Sequence, residues 1–115
     1  MTVIMDYKIK SRIWLVANDN MLLGKGRVEL LKAIDTTGSL NKAARTMKMS
    51  YKKAWELVDS INKSGASPAI ITSKGGKGGG GTVLTAYGKE IISIFDTINQ
   101  KCILFLEEEL KKIAL

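Results

Sequence analysis

Histidine is absent from this 115-residue chain, cysteine and proline occur once each, and acidic residues are outnumbered by basic ones, 11 to 18. Each shortage removes a class of function. Without histidine the most versatile general base and metal ligand is gone, and a single thiol offers no cysteine cluster in its place. No catalytic residues, no metal site and no cofactor are expected. The acidic run Glu107-Glu108-Glu109 reads as a solvated helix face. The lone Cys102 cannot close an internal disulfide and suits a reducing compartment. Long apolar runs are missing too. Asp96, Asn99, Gln100 and Lys101 interrupt the stretch from Ile91 to Leu106, and the opening Met1–Asp6 is too short for a signal peptide. The expectation is a cytoplasmic, non-enzymatic protein with no membrane partner.

The remainder is ordinary for one globular domain, with 45% hydrophobic and 25% charged residues. A net charge of +7 makes an anionic partner plausible. The excess is local. Residues 39–81 carry eight Lys/Arg against Glu56 and Asp59, a net +6, whereas residues 1–38 net +2 and residues 82–115 net −1.

From Tyr7 to Val16 the residues favour a strand, with Ile9, Ser11, Ile13 and Leu15 on one face and Lys8, Lys10, Arg12, Trp14 and Val16 on the other. Asn18-Asp19-Asn20 signals a turn back into Met21-Leu22-Leu23. Val28, Leu31 and Ile34 then follow a helical rhythm that Gly38 ends. Ser39 caps a second helix with Leu40, Ala43, Ala44 and Met47 inward, and Ser50 caps a third with Ala54, Leu57, Val58 and Ile61 inward. Ala69–Thr72 and Thr82–Leu84 read as strands around six glycines in residues 75–81. From Thr85 the chain reads as one helix of roughly 28 residues, ~42 Å at 1.5 Å per residue. The expected fold is mainly α with small β. It is a winged helix-turn-helix in a single domain, 1–115: hairpin about 7–23, helices about 25–37, 39–48 and 50–63, wing 69–84, long helix 85–114.

A helix-turn-helix followed by a basic hairpin suits double-stranded DNA. Ser39 and Lys42 open the second helix, and Ser50, Tyr51, Lys52 and Lys53 open the third, where base edges are met. Lys74 and Lys77 in the wing suit the sugar-phosphate surface. Trp55 reads as packing rather than contact. Lys48 holds the turn position where such motifs often place glycine, so a positive φ is expected there. A nucleotide-phosphate loop is excluded, because no Gly-Lys-Ser/Thr leads from the glycines into a helix. On the long helix, Ile91, Phe95, Ile98, Cys102 and Phe105 are spaced 4, 3, 4, 3, and Leu106 continues the stripe. Such a seam needs a partner, and a homodimer is expected.

Three segments carry a family resemblance. Gly26 to Leu40, Ser50-Tyr51-Lys52-Lys53-Ala54-Trp55-Glu56-Leu57, and Gly75 to Gly88 with its Gly-Gly-Lys-Gly-Gly-Gly-Gly run resemble the N-terminal DNA-binding domain of the ModE family, molybdate-responsive transcriptional regulators. LysR-type regulators share the Gly-Ser-x-x-x-Ala-Ala pattern more distantly. The resemblance implies a winged-helix dimer joined by its terminal helix on a two-fold operator, with Ser50 to Lys53 and Lys74 to Lys77 on DNA. Family members continue into molybdate-binding domains. This chain reads as the DNA-binding part without them, so oxyanion sensing would need a partner chain in trans. The expected function is a sequence-specific transcriptional regulator, the alternative a non-catalytic winged-helix module that binds protein.

Overall fold

A computed structural model of the chain describes residues 4–73 and 81–115. The order of elements is β1 (Leu15–Ala17), β2 (Asn20–Leu23), α1 (Lys25–Thr37), α2 (Leu40–Thr46), α3 (Tyr51–Ser64), β3 (Ile70–Thr72), β4 (Thr82–Leu84) and α4 (Ala86–Lys111). This is a mainly α winged helix-turn-helix with two separate antiparallel strand pairs and a long C-terminal helix.

The first hairpin turns on two residues, Asn18 and Asp19, both with positive φ (49° and 65°). Asn and Asp tolerate that region, and the mirror-image turn matches the twist of the strands. Pairing runs Ala17 to Asn20 and Val16 to Met21, then slips so that Leu15 faces Leu23. The extra residue is Leu22. The slip lets consecutive Leu22 and Leu23 both enter the core, which an unbroken strand with period two forbids. The alternation from Tyr7 predicts a longer strand than forms: pairing begins at Leu15 because β2 is four residues long.

Val28, Leu30, Leu31 and Ile34 of α1, Leu40, Ala43 and Ala44 of α2, and Ala54, Val58 and Ile61 of α3 fill the centre. The two alanines of α2 let its neighbours approach closely. Gly38 closes α1 in the left-handed region (φ 68°), with its N–H on the Ile34 carbonyl at 2.7 Å. α4 contributes Ile91, Ile92 and Phe95 from its first three turns. Beyond them it runs out from the core, and the chain measures 70 × 32 × 20 Å. Lys32 and Asp96, 2.8 Å apart, tie α1 to α4 just before it leaves. Among the described residues, no helix is long and apolar enough to cross a membrane.

One polar side chain joins α3 to the wing. Asn62 Oδ1 accepts from the backbone N–H of Ala69 (2.8 Å) and Ile70 (3.0 Å), and its Nδ2 donates to the Ile70 carbonyl (3.0 Å). The amide thus serves β3 as a neighbouring strand would. Asn62→Ala leaves two N–H groups and a carbonyl half-buried without partners. It is expected to cost about 2 kcal/mol, read as a lower urea midpoint at unchanged slope.

Candidate nucleic-acid interface

The turn between α2 and α3 is built by local rules. Ser39 Oγ accepts from Lys42 N–H and Ser50 Oγ from Lys53 N–H, each at 3.1 Å, so both helices start on a side-chain cap. At the end of α2 the Lys48 N–H donates to the Arg45 carbonyl and the Met49 N–H to the Ala44 carbonyl, each at 3.0 Å. That pair of bonds defines a Schellman stop, whose pivot must be left-handed. Lys48 holds it with φ 56°, as its position predicts, at a strain of about 1 kcal/mol relative to glycine. Met49, next in the chain, packs against the core, and the lysine side chain is left in solvent.

α3 presents its first turn outward. Tyr51, Lys52 and Lys53 are exposed, while Ala54, Val58 and Ile61 are buried behind them. Trp55 departs from the packing expectation. It is 52% exposed, one helical turn beyond Tyr51 at 54%, so the two aromatic rings rise from the same outward face. Around them Lys42, Arg45, Lys48, Lys52 and Lys53 are exposed. Among the described residues, none of these five cations is in an ion pair.

The wing docks beside this surface. Ile70 pairs with Leu84, Ile71 with Val83 and Thr72 with Thr82. Ile70, Leu84 and Thr82 face the core, and Ile71 and Val83 face out. At the root of the wing the Ser73 N–H donates to the Gly81 carbonyl (2.9 Å) and the Gly81 N–H to Ser73 Oγ (3.1 Å). Thr82 N–H donates to the Gly38 carbonyl at 3.0 Å, fastening β4 to the corner before α2. The result is a cleft of about 230 Å³ lined by Ser39, Asn41, Tyr51, Ser73 and Gly81 among others. It brings both helix starts and the root of the wing together. Lys74 and Lys77 lie outside the described residues.

Of the residues expected in the α4 seam, Ile91 and Phe95 are buried in their own domain, each 5% exposed. Cys102 and Leu106 are half-buried, with Cys102 Sγ 3.9 Å from Ser11 Oγ of the N-terminal segment. Ile98 and Phe105 are open at 51% and 63%. Ile94, outside the 4, 3, 4, 3 spacing, is also exposed; at 100° per residue it lies within about 40° of both.

The chain is 34% identical over 107 residues to the molybdenum transport protein ModE of Azotobacter vinelandii, an alignment covering 90% of this chain and 40% of that protein. It is 39% identical over 74 residues to the DNA-binding transcriptional dual regulator ModE of Escherichia coli K12, covering 64% of this chain and 28% of that one. These similarities are consistent with a ModE-family N-terminal domain. A third relative, the molybdenum-pterin-binding protein MopB of Rhodobacter capsulatus, is 45% identical over 76 residues, covering 66% of this chain and 28% of its own length. The chain thus spans less than half the length of these relatives. No protein-family model matches it.

Proposed function

We propose that this chain binds double-stranded DNA as a transcriptional regulator, placing α3 in the major groove and the wing on the adjoining backbone, as a homodimer on a two-fold operator. The observation that carries the reading is the surface at the start of α3. Five exposed cations outside any described ion pair lie with exposed Tyr51 and Trp55 on the helix-turn-helix segment 42–55, and Tyr51 shares a cleft with Ser73 and Gly81 at the root of a lysine-bearing, glycine-rich wing. Cations neutralise phosphates and release counterions. Flat aromatic rings and lysine donors at the start of a groove-inserted helix reach base edges and thymine methyl groups. The capped starts of α2 and α3 border one cleft, and phosphate oxygens would accept from backbone N–H groups left free there.

The roles of helix and wing are separable in competition binding against random-sequence duplexes. Lys74→Ala with Lys77→Ala is expected to weaken all duplexes alike and to reduce the salt slope by about 0.9 per lost phosphate contact. Tyr51→Ala, Lys52→Ala or Trp55→Ala is expected to change the ranking of sequences, by ~1–3 kcal/mol at a contacted base pair. Identical behaviour of wing and helix variants would refute the division, and a salt-independent partner would refute DNA as the ligand.

Names of the relatives refer to molybdenum, and the proposal for these 115 residues is that their DNA affinity is indifferent to molybdate. An effector shifts an equilibrium only by binding two states unequally. The N–H groups that could hold an oxyanion here are those DNA itself would occupy. Titration with molybdate against matched sulfate is expected to leave affinity unchanged. A molybdate-specific shift of tenfold, ~1.4 kcal/mol, would reveal a sensor site within these residues.

A further inference from the structure

Residues 4–14 precede β1 and belong to no helix or strand. Ile13 lies with Phe95 and Asn99 along one cleft, Ser11 meets Cys102, and Tyr7 to Lys10 lie beside Glu107, Leu110 and Ile113. Six residues from Ile13 to Tyr7 therefore cover the distance from Phe95 to Leu110. Fifteen helical steps are ~22 Å, and six residues reach that length only when fully extended, at ~3.4 Å each. Yet among the described residues no backbone N–H or carbonyl from Ile4 to Arg12 is hydrogen bonded. The alternation is that of a strand, with Tyr7, Ile9 and Ile13 on one face and Lys8, Lys10 and Arg12 on the other.

We infer that residues 5–9 pair antiparallel with the same residues of a second copy of this chain, forming a two-stranded ribbon that crosses the dimer axis above α4. The inference rests on the homodimer reading and adds to it a backbone interface beside the helix seam. A second copy fits better than another partner because the segment complements itself. With the two-fold axis at Tyr7, Asp6 falls opposite Lys8 of the partner subunit, and Lys8 opposite Asp6 of the partner subunit. Within one chain these two side chains stand 4.0 Å apart on an exposed surface. Moving the axis to Lys8 sets that lysine against itself, and moving it to Ile9 sets Lys8 against Lys10 of the partner subunit; like charges directly opposite are unfavourable. The ribbon is also continuous with exposed apolar surface. Tyr7, Ile9, Ile94, Ile98, Phe105 and Ile113 are each 42–63% exposed. At roughly 100 Å² apiece they approach the ~800 Å² per partner that a stable interface buries, and the ribbon backbone supplies the rest. An unpaired strand edge is itself a template for such pairing.

Sedimentation equilibrium on the wild-type chain and on Lys8→Pro and Ile9→Pro, each beside the alanine variant at the same position, tests the ribbon. Of two adjacent residues one donates into a given ladder, and proline removes that donor twice across the axis. One proline variant is expected to raise the dimer dissociation constant at least tenfold over its alanine control. Both are expected to keep the wild-type circular dichroism, since the fold uses no hydrogen bond from these residues. Amide exchange on the wild type is a second measurement: alternate residues within 5–9, those whose N–H donates into the ladder, are expected to exchange slowly when dimeric and at free-peptide rates on dilution. A dimeric wild type that tolerates both prolines, with residues 5–9 exchanging at free-peptide rates, overturns the ribbon and leaves the α4 seam standing. A wild type that stays monomeric overturns the dimer reading and the ribbon with it.

Discussion

Gly88→Ala is expected to remove about 3 kcal/mol of stability. Gly88 sits buried in the first turn of α4, against the loop that links α3 to β3. A Cβ there would overlap the carbonyl oxygen of Ala69 and come within 3.1 Å of its carbonyl carbon. The loop cannot yield, because several bonds hold it to the same helix start. Thr85 N–H donates to the Ala69 carbonyl (2.9 Å), Thr85 Oγ1 donates to the Pro68 carbonyl (2.7 Å) while accepting from Gly88 N–H (3.0 Å), and Ala66 N–H donates to Tyr87 Oη (3.0 Å). Asn62 pins the following residues from the other side. Alanine's better helix propensity returns about 1 kcal/mol, too little to offset an overlap with fixed backbone. The control is Gly26→Ala on α1, where a Cβ meets nothing within 4 Å. There the propensity gain stands alone, and a stabilisation of ~0.5–1 kcal/mol is expected. Equal responses at the two glycines in urea unfolding would show that the Ala69 contact does not constrain α4.

That contact marks the boundary of what one sequence discloses. The helices, their caps and the turn between α2 and α3 were legible because their rules are local: Ser39 and Ser50 stand three residues before the N–H groups they accept, and Gly38 and Lys48 occupy the left-handed stops. Asn62 and Gly88 were not. On a 3.6-residue pattern Asn62 is one more polar residue between Ile61 and Lys63, and its three bonds depend on a loop that folds back eight residues later. The slip at Leu22 is hidden for a similar reason, since strand alternation carries no mark of where a residue will be inserted. Trp55 misled because aromatic residues on helices usually pack, and whether its face is covered is decided by where α2 crosses. On α4 the apolar spacing is continuous from Ile91 to Phe105, but the fold divides it, spending Ile91 and Phe95 on the core and leaving Ile98 and Phe105 outside. Periodicity registers a buried face without saying whether the neighbour belongs to the same chain.

The division supplies a sharper test of the homodimer than spacing allowed. Ile98→Asp is expected to raise the dimer dissociation constant by a hundredfold or more, ~2.7 kcal/mol, because two-fold symmetry brings two unpaired carboxylates into one desolvated seam. Ile94→Asp should act in the same direction from the same stripe. Neither should unfold the chain, since both side chains are 40–50% or more open to solvent in the single copy (42% and 51%) and the carboxylates stay hydrated there. Ile91→Asp behaves differently. That residue is 5% exposed among Ile92, Phe95 and the α1 side chains, so a charge in its place is expected to abolish folding rather than assembly. DNA binding should follow assembly: a monomer keeps the α3 surface but engages one half of a two-fold operator, so affinity falls while the preferred half-site is unchanged. Sedimentation together with thermal melting separates these outcomes. A folded Ile98→Asp chain that sediments as the wild-type dimer would remove α4 from the interface and leave the N-terminal ribbon as its principal contact.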